Sequence, residues 1–367
     1  MTTTVFDPSA LIRDSVVQSK PYTPILPFEV LSQQLGRRPE DIIKLDANEN
    51  PYGPSPRVAE ALAAAPYLHI YPDPESRELR AALADYTGLP ADYLLVGHGA
   101  DELIDLVMRL FLNPGDKLVN LPPTFGMYSF DADINAVEVV NVWRRADFSI
   151  PLNEVEAQFA GPDSPPKLII ATSPNNPDGS LLPDADLRRL LALPAIVILD
   201  EAYIEFCGGS RIAWVRDYPN LIVLRTFSKW AGLAGLRVGY GAFPLNIIEH
   251  LWKIKQPYNV NVAGQIAALV SLQDRARLLA SVDKLMAERE KFFATLRQFD
   301  WLTPYPSHSN FVLCRVEGRP AAEVKAALAG HGILVRYYNS ARLSDHIRIS
   351  IGTPAQMARL EQGLQAI

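Results

Sequence analysis

The stretch LIVLRTFSKWAGLAGLRVGY, Leu221 to Tyr240, decides the fold. Its opening, Leu221 to Leu224, is a short β-branched apolar run, the pattern of a strand buried on both faces in a parallel sheet. Thr226, Ser228 and Lys229 fall where that strand ends, which puts the lysine at a carboxyl edge, where open α/β sheets collect ligands. Gly232, Gly235, Gly239 and Gly241 free the backbone to turn or to approach a ligand closely. Arg237 follows eight residues after Lys229. One short segment thus offers a nucleophilic amine, two hydroxyls and a guanidinium. That set suits a phosphorylated carbonyl compound: the amine condenses with the carbonyl as a Schiff base, while hydroxyls and guanidinium hold the phosphate. Taken without its neighbours, a Lys-Arg stretch is a solvated face.

Working outward, the chain of 367 residues, 48% hydrophobic and 21% charged, has room for a large core and more than one domain. A formal charge of -6 gives no broad cationic surface and argues against nucleic acid as a partner. Two cysteines, Cys207 and Cys314, are too few and too far apart for a disulfide framework or a thiolate metal site. They read as buried packing residues in a reducing compartment. The first twenty residues lack the basic start and unbroken apolar core of a signal peptide, and no apolar run reaches membrane-spanning length. These features together predict a cytoplasmic protein.

Other polar segments also follow apolar runs. Leu94 to Val96 is followed by Gly97-His98-Gly99-Ala100-Asp101-Glu102, a nest of backbone N–H groups before a helix expected from Leu103, and so a candidate anion site. Leu118 to Leu121 leads into PPTFGMY, where Phe125 is placed to stack on a planar ligand. Lys167 to Thr172 leads into the turn SPNNPDG. Ala195 to Leu199 ends in Asp200-Glu201-Ala202-Tyr203. A carboxylate closing a wholly apolar strand is costly unless it meets a cation or proton donor. Prolines 21, 24 and 27 make the early chain an extended arm, with Tyr22 in it as a packing aromatic. The segment DANENPYGPSP reads as a loop, and Tyr71 as a turn-flanking aromatic. Helices are expected over Phe28 to Leu35, Arg57 to Ala65, Asp186 to Leu193, Ile247 to Lys255 and Arg275 to Phe299. Phe311 to Val316 and Ile333 to Arg336 read as further strands. Arg336 ends one of them and Arg348 alternates with isoleucines in HIRISIGT. Neither a G-x-x-x-x-G-K-[ST] loop nor an H-E-x-x-H pair occurs.

The lysine segment resembles the S-K-x-x-G-L-x-G-x-R-x-G-Y signature of fold-type I aminotransferases, and the glycine loop, SPNNPDG, Asp200 and Lys229 come in that family's order. Asn-Glu-Asn-Pro and the arginine of GILVRYY resemble its histidinol-phosphate branch. The resemblance covers the chain from the arm near Tyr22 to Arg348. It implies an α/β fold, with a large domain built on a mainly parallel seven-stranded sheet between helices and a smaller C-terminal α/β domain. The expected boundaries are an arm at 1–30, a large domain at 46–262, and a small domain from 31–45 with 263–367. It implies pyridoxal 5'-phosphate as cofactor, no metal, and a homodimer in which Tyr71 reaches the partner's site. Lys229 would carry the cofactor as a Schiff base, Asp200 would face its ring nitrogen, and Asn176 and Tyr203 its phenolic oxygen. Phe125 would stack on the ring, and Ser228, Arg237 and the backbone of Ala100 and Asp101 would hold the phosphate.

Tyr22, Asn50, Arg336 and Arg348 would bind substrate, the arginines because planar guanidinium groups meet carboxylate and phosphate bidentately. Three positions depart from the pattern: Phe125 stands for tyrosine, Asp178 for threonine and His98 for a small polar residue. The implied reaction is transamination between L-histidinol phosphate and 2-oxoglutarate in histidine biosynthesis. An aromatic amino acid aminotransferase, a threonine-phosphate decarboxylase and a non-catalytic sensor built on the same fold are the competing readings.

Overall fold

The apolar runs become strands and the polar segments after them become loops at one edge of a sheet. The computed structural model describes residues 7–22, 24–161 and 164–367; the first six residues and residue 23, part of the expected arm, lie outside it. The described residues form the strands β1 (Ile43–Leu45), β2 (Leu94–Gly97), β3 (Lys117–Asn120), β4 (Glu138–Asn141), β5 (Leu168–Thr172) and β6 (Ile196–Asp200) in the first part of the chain. The second part forms β7 (Leu221–Thr226), β8 (Gly239–Ala242), β9 (Leu302–Pro304), β10 (Phe311–Val316), β11 (Ile333–Tyr337) and β12 (His346–Ser350).

Seven strands form one sheet in the order β2-β8-β7-β6-β5-β3-β4. β8 runs antiparallel to both its neighbours, while the pairs among β3, β4, β5, β6 and β7 are parallel. Successive side chains alternate between two apolar layers, as a strand's two-residue period requires. Val197, Leu199, Leu221 and Val223 join one core cluster, whereas Ile198, Ile222 and Leu224 pack with Leu103, Ile104 and Val107 of the helix Gly99–Phe111. With both faces covered, the only wet part of a central strand is its end.

The second sheet, of five strands, runs β1-β11-β12-β10-β9. Its first strand comes from far upstream and pairs in parallel with β11, Ile43 opposite Ile333, so the segment before the large sheet is built into the smaller one. The remaining pairs are antiparallel.

Several expectations shift. The helix expected from Leu103 begins at Gly99, a turn earlier, because Asp101 and Glu102 occupy its first turn, where carboxylates favour the positive end of the dipole. Strand β8 was hidden by its glycines. An ideal Cβ on Gly239 would lie 2.4 Å from the Ala100 nitrogen, so that position must lack a side chain for the helix start to pack against the sheet. A helical turn at Asp14–Gln18 and the short strands β4 and β9 carry too few apolar residues to be read from pattern. Cys314 is buried as expected, but Cys207 is only partly so, on the turn after a short 3-10 segment.

Candidate active site

The ends of β2, β3, β5, β6 and β7 converge on a cavity of about 720 Å³, closed on the far side by β11 and β12 and flanked by the arm. Lys229, three residues beyond β7, lines it. Its Nζ donates to the Ala47 carbonyl at 3.3 Å. Burial, helped by the charge of Arg348, pulls the amine down to about 8. A lysine so placed has a substantial neutral, nucleophilic fraction near neutral pH.

Asp200 closes β6. Its Oδ1 accepts the Ala202 backbone N–H at 2.9 Å and its Oδ2 accepts the phenolic hydroxyl of Tyr128 at 2.6 Å. Burial pushes this carboxyl up to about 6, against the pull of those two donors. Tyr128 also meets the Thr172 hydroxyl at 3.0 Å. It lies three residues after Phe125, on the helix Met127–Ile134, and its ring meets that of Phe125 edge to face with centroids 5.6 Å apart. Tyr128 is not among the residues the sequence singles out, and a second aromatic three residues after Phe125 is the signal that marks it.

Another group of residues lining the cavity is suited to an anion. Arg237, in the left-handed region at φ 53, sends Nη2 to Asp101 at 2.7 Å and holds Nη1 3.5 Å from Ser228 Oγ. The Ser228 hydroxyl accepts from Thr226 at 2.9 Å. Ala100 and Asp101 lie in the first turn of Gly99–Phe111, whose N–H groups have no partners within the helix. A Cβ on Gly99 would fall 2.5 Å from Arg237 Nη2, so only glycine lets the guanidinium lie this close to the helix start. His98 is exposed and does not line the cavity.

Tyr203 and Asn176 both line the cavity, each held by a second residue. The Tyr203 hydroxyl accepts from Asn48 Nδ2 at 3.0 Å, which leaves its own proton to donate. Arg348 Nη1 donates to Asn176 Oδ1, which leaves that amide's nitrogen as the remaining donor. Arg348 is buried, gives Nη2 to the Asp46 carbonyl at 2.7 Å, and keeps Nε without a partner among the described residues. Arg336 lines the same wall, its guanidinium 5.7 Å from the ring of Tyr338. Tyr22 also lines the cavity and meets Phe130 edge to face at 6.1 Å.

Asn50 does not line the cavity. Its side chain is buried, donating to the Trp230 carbonyl at 2.8 Å and accepting the Tyr52 N–H at 3.0 Å, so it fixes the loop. Asn48 is the asparagine of that loop which reaches the site. It takes the left-handed conformation, φ 56, that asparagine tolerates, and exchanges two hydrogen bonds of 2.9 Å with Ser350 at the end of β12. Tyr71 stands apart as well, 78% exposed and stacked on Tyr258 with centroids 4.5 Å apart. Asp178 is buried in its turn, accepting from Asn175 Nδ2 and the Ser180 N–H, and does not line the cavity.

An amine, a buried carboxylate and a phosphate-sized cluster of donors, spaced around one cavity, form a donor set that fits a phosphorylated pyridine aldehyde. Residues 40–364 match the family described as aminotransferase class I and II. The chain belongs to this family. It is 56% identical over 347 residues to histidinol-phosphate aminotransferase 1, chloroplastic, of Arabidopsis thaliana, covering 94% of this chain and 83% of that one. It is 50% identical over 356 residues to the histidinol-phosphate aminotransferase of Roseiflexus castenholzii, covering 95% of each. Among solved structures, histidinol-phosphate aminotransferase from Sinorhizobium meliloti in complex with pyridoxal-5'-phosphate superposes with a TM-score of 0.86 at 29% identity, over 98% of this chain and 97% of that one. The aminotransferase fold is thus as expected. The cytoplasmic expectation is overturned by the chloroplastic Arabidopsis relative: cysteine content reports redox chemistry, which does not separate one reducing compartment from another.

Proposed function

We propose that this aminotransferase uses pyridoxal 5'-phosphate to pass an amino group between L-histidinol phosphate and 2-oxoglutarate, as a step of histidine biosynthesis. The observation that carries this reading is the pairing of Arg336 with Arg348 as Cα partners across β11 and β12, both lining the cavity that holds Lys229 and Asp200. Two guanidinium groups on that wall suit a site that must take a phosphate monoester and a dicarboxylate in turn. The similarity to histidinol-phosphate aminotransferases over most of the chain supports the same reading.

When bound, the cofactor supplies an aldehyde for condensation with amines and an electron-poor ring that takes up the electron pair left at the substrate Cα. Lys229 Nζ would hold the cofactor through its aldehyde carbon and, once freed by the incoming amine, would carry the proton from the substrate Cα to that former aldehyde carbon, the shift that transamination requires. Asp200 holds a proton on the ring nitrogen, and Tyr128 holds Asp200. Tyr203 and Asn176 donate to the phenolic oxygen, while Phe125 covers the ring. Ser228, Arg237 and the first N–H groups of Gly99–Phe111 bind the phosphate. Arg348 binds the substrate carboxylate, Arg336 the substrate phosphate, and Tyr22 covers the imidazole side.

The chain divides into an arm (1–30), a large domain (46–262) and a small domain (31–45 with 263–367). It works as a homodimer, in which the exposed Tyr71 of one protomer completes the phosphate site of the other. The deciding experiment compares kcat/KM of the cofactor-loaded enzyme for L-histidinol phosphate and for phenylalanine, each with 2-oxoglutarate. At least a hundredfold preference for histidinol phosphate is expected, and comparable values would reassign the enzyme to aromatic amino acids.

A further inference from the structure

A second cavity, of about 660 Å³, adjoins the first. Pro123 lines it, while the next two residues, Thr124 and Phe125, line the active cavity; His346 lines it, while Arg348, two residues along β12 and on the same face, lines the active cavity. Its walls come from the segment after β4 and from the loop before β12, so it lies between the two sheets.

The charges in this cleft are unbalanced. Arg144, Arg145, Arg315 and Arg342 line it with a single carboxylate, Asp345. That carboxylate is already engaged by Arg315 at 2.9 Å and by His346 Nδ1 at 2.6 Å. Arg144 is only 3% exposed. It donates from Nε to the Leu121 carbonyl at 3.1 Å and from Nη1 to the Phe148 carbonyl at 3.0 Å, and its Nη2 has no partner among the described residues. Asp178, the carboxylate that helps sustain its charge, spends its oxygens on Asn175 and Ser180. A buried guanidinium with a free donor and no paired anion is costly to keep. Arg342 is fixed at the rim by a 2.8 Å bond to the Arg144 carbonyl and by the ring of Trp143, 4.9 Å away. Tyr305, stacked on His346 with centroids 5.6 Å apart, supplies an aromatic wall.

We propose that this cleft is a second binding site, for a small polyanion carrying phosphate or carboxylate groups, distinct from the substrate site beside it. A ligand there binds the arginines of both sheets together and leaves Lys229 and Asp200 untouched.

Calorimetric titration of the cofactor-loaded enzyme with inorganic pyrophosphate, and separately with citrate, tests this. Arg315→Gln combined with Arg342→Gln removes two exposed rim charges, and a thermal melt checks that this variant folds. At least tenfold weaker binding of one or both probes in that variant, together with an unchanged KM for L-histidinol phosphate, is the expected result; which probe is lost identifies the anion class. The proposal is overturned if neither probe binds the wild type, or if all binding survives in the double variant and disappears in Arg336→Ala.

Discussion

Arg336 and Arg348 stand directly opposite one another, as Cα partners on β11 and β12. Like charges at such positions repel and weaken an antiparallel pair, so the arrangement is a standing cost in the ligand-free chain. An anion received between them turns that cost into affinity. The two are not equivalent, because Arg348 is already bonded to Asn176 and to the Asp46 carbonyl, whereas no fixed hydrogen bond ties Arg336 among the described residues.

Arg336→Ala should therefore lower kcat/KM for L-histidinol phosphate about 10- to 100-fold, the loss of one or two charge-assisted hydrogen bonds. The loss for glutamate should be several-fold smaller. Steady-state kinetics of both half-reactions measure this, and equal losses would remove the special phosphate role.

The Lys229 amine, at about 8, lies below its ordinary 10.5. A folded value below the unfolded one means that the charged amine is destabilising at low pH, and that this penalty fades as pH rises from about 8 to above 10. Capture of pyridoxal 5'-phosphate by the cofactor-free protein should accelerate with a midpoint near pH 8, followed by stopped-flow absorbance. Arg348→Gln should move the midpoint upward, since Arg348 disfavours the charged amine. Lys229→Ala should give no turnover and no chromophore fixed by borohydride.

Asp200 shifts the other way, from an ordinary 3.8 up to about 6. The folded state then holds this proton more tightly than the unfolded one, so stability declines as pH rises from about 4 through 6. At pH 7 the ionised carboxylate costs on the order of 1–3 kcal/mol in the cofactor-free chain. Asp200→Asn removes that charge: its amide oxygen can accept the Ala202 N–H, and the Tyr128 hydroxyl can turn to donate to Thr172 and accept from the new amide nitrogen. The variant should melt a few degrees higher without cofactor at pH 7, with the gap closing near pH 4, while turnover falls at least a hundredfold. Scanning fluorimetry across pH, beside an activity assay, separates the two effects.

If Tyr71 serves the other protomer's site, mixing Tyr71→Ala with Lys229→Ala protomers should restore activity. Each mixed dimer then carries both defects in one site and leaves its second site intact. Up to a quarter of wild-type turnover is expected after exchange at equal amounts. A mixture no more active than the sum of its parts places Tyr71 in its own chain's site or in neither.

The sheet-end chemistry was legible because it obeys a local rule: an apolar strand stops and its reactive residue follows. Asp200, Asn176, Lys229 and the Gly99 nest all sit where that rule puts them. Residues positioned by tertiary packing were not legible in this way. Asn48 and Asn50 share a loop and a residue type, and only the fold decides that one reaches Tyr203 while the other anchors to Trp230. Tyr128 was hidden because its partner Asp200 lies 72 residues away. Glycine-rich β8 went unread since its residues are chosen for the absence of side chains. The cross-strand opposition of the two arginines depends on register, which the spacing of HIRISIGT alone does not fix.

Asp200 ends a strand of the seven-stranded sheet and Lys229 follows another, while Arg336 and Arg348 stand on the five-stranded one, so the proposed roles of reactivity and recognition fall on separate scaffolds. On that reading, a change of diet from a phosphate ester to another small anion would fall first on residues along β11 and β12. The lysine and carboxylate behind them would stay where they are.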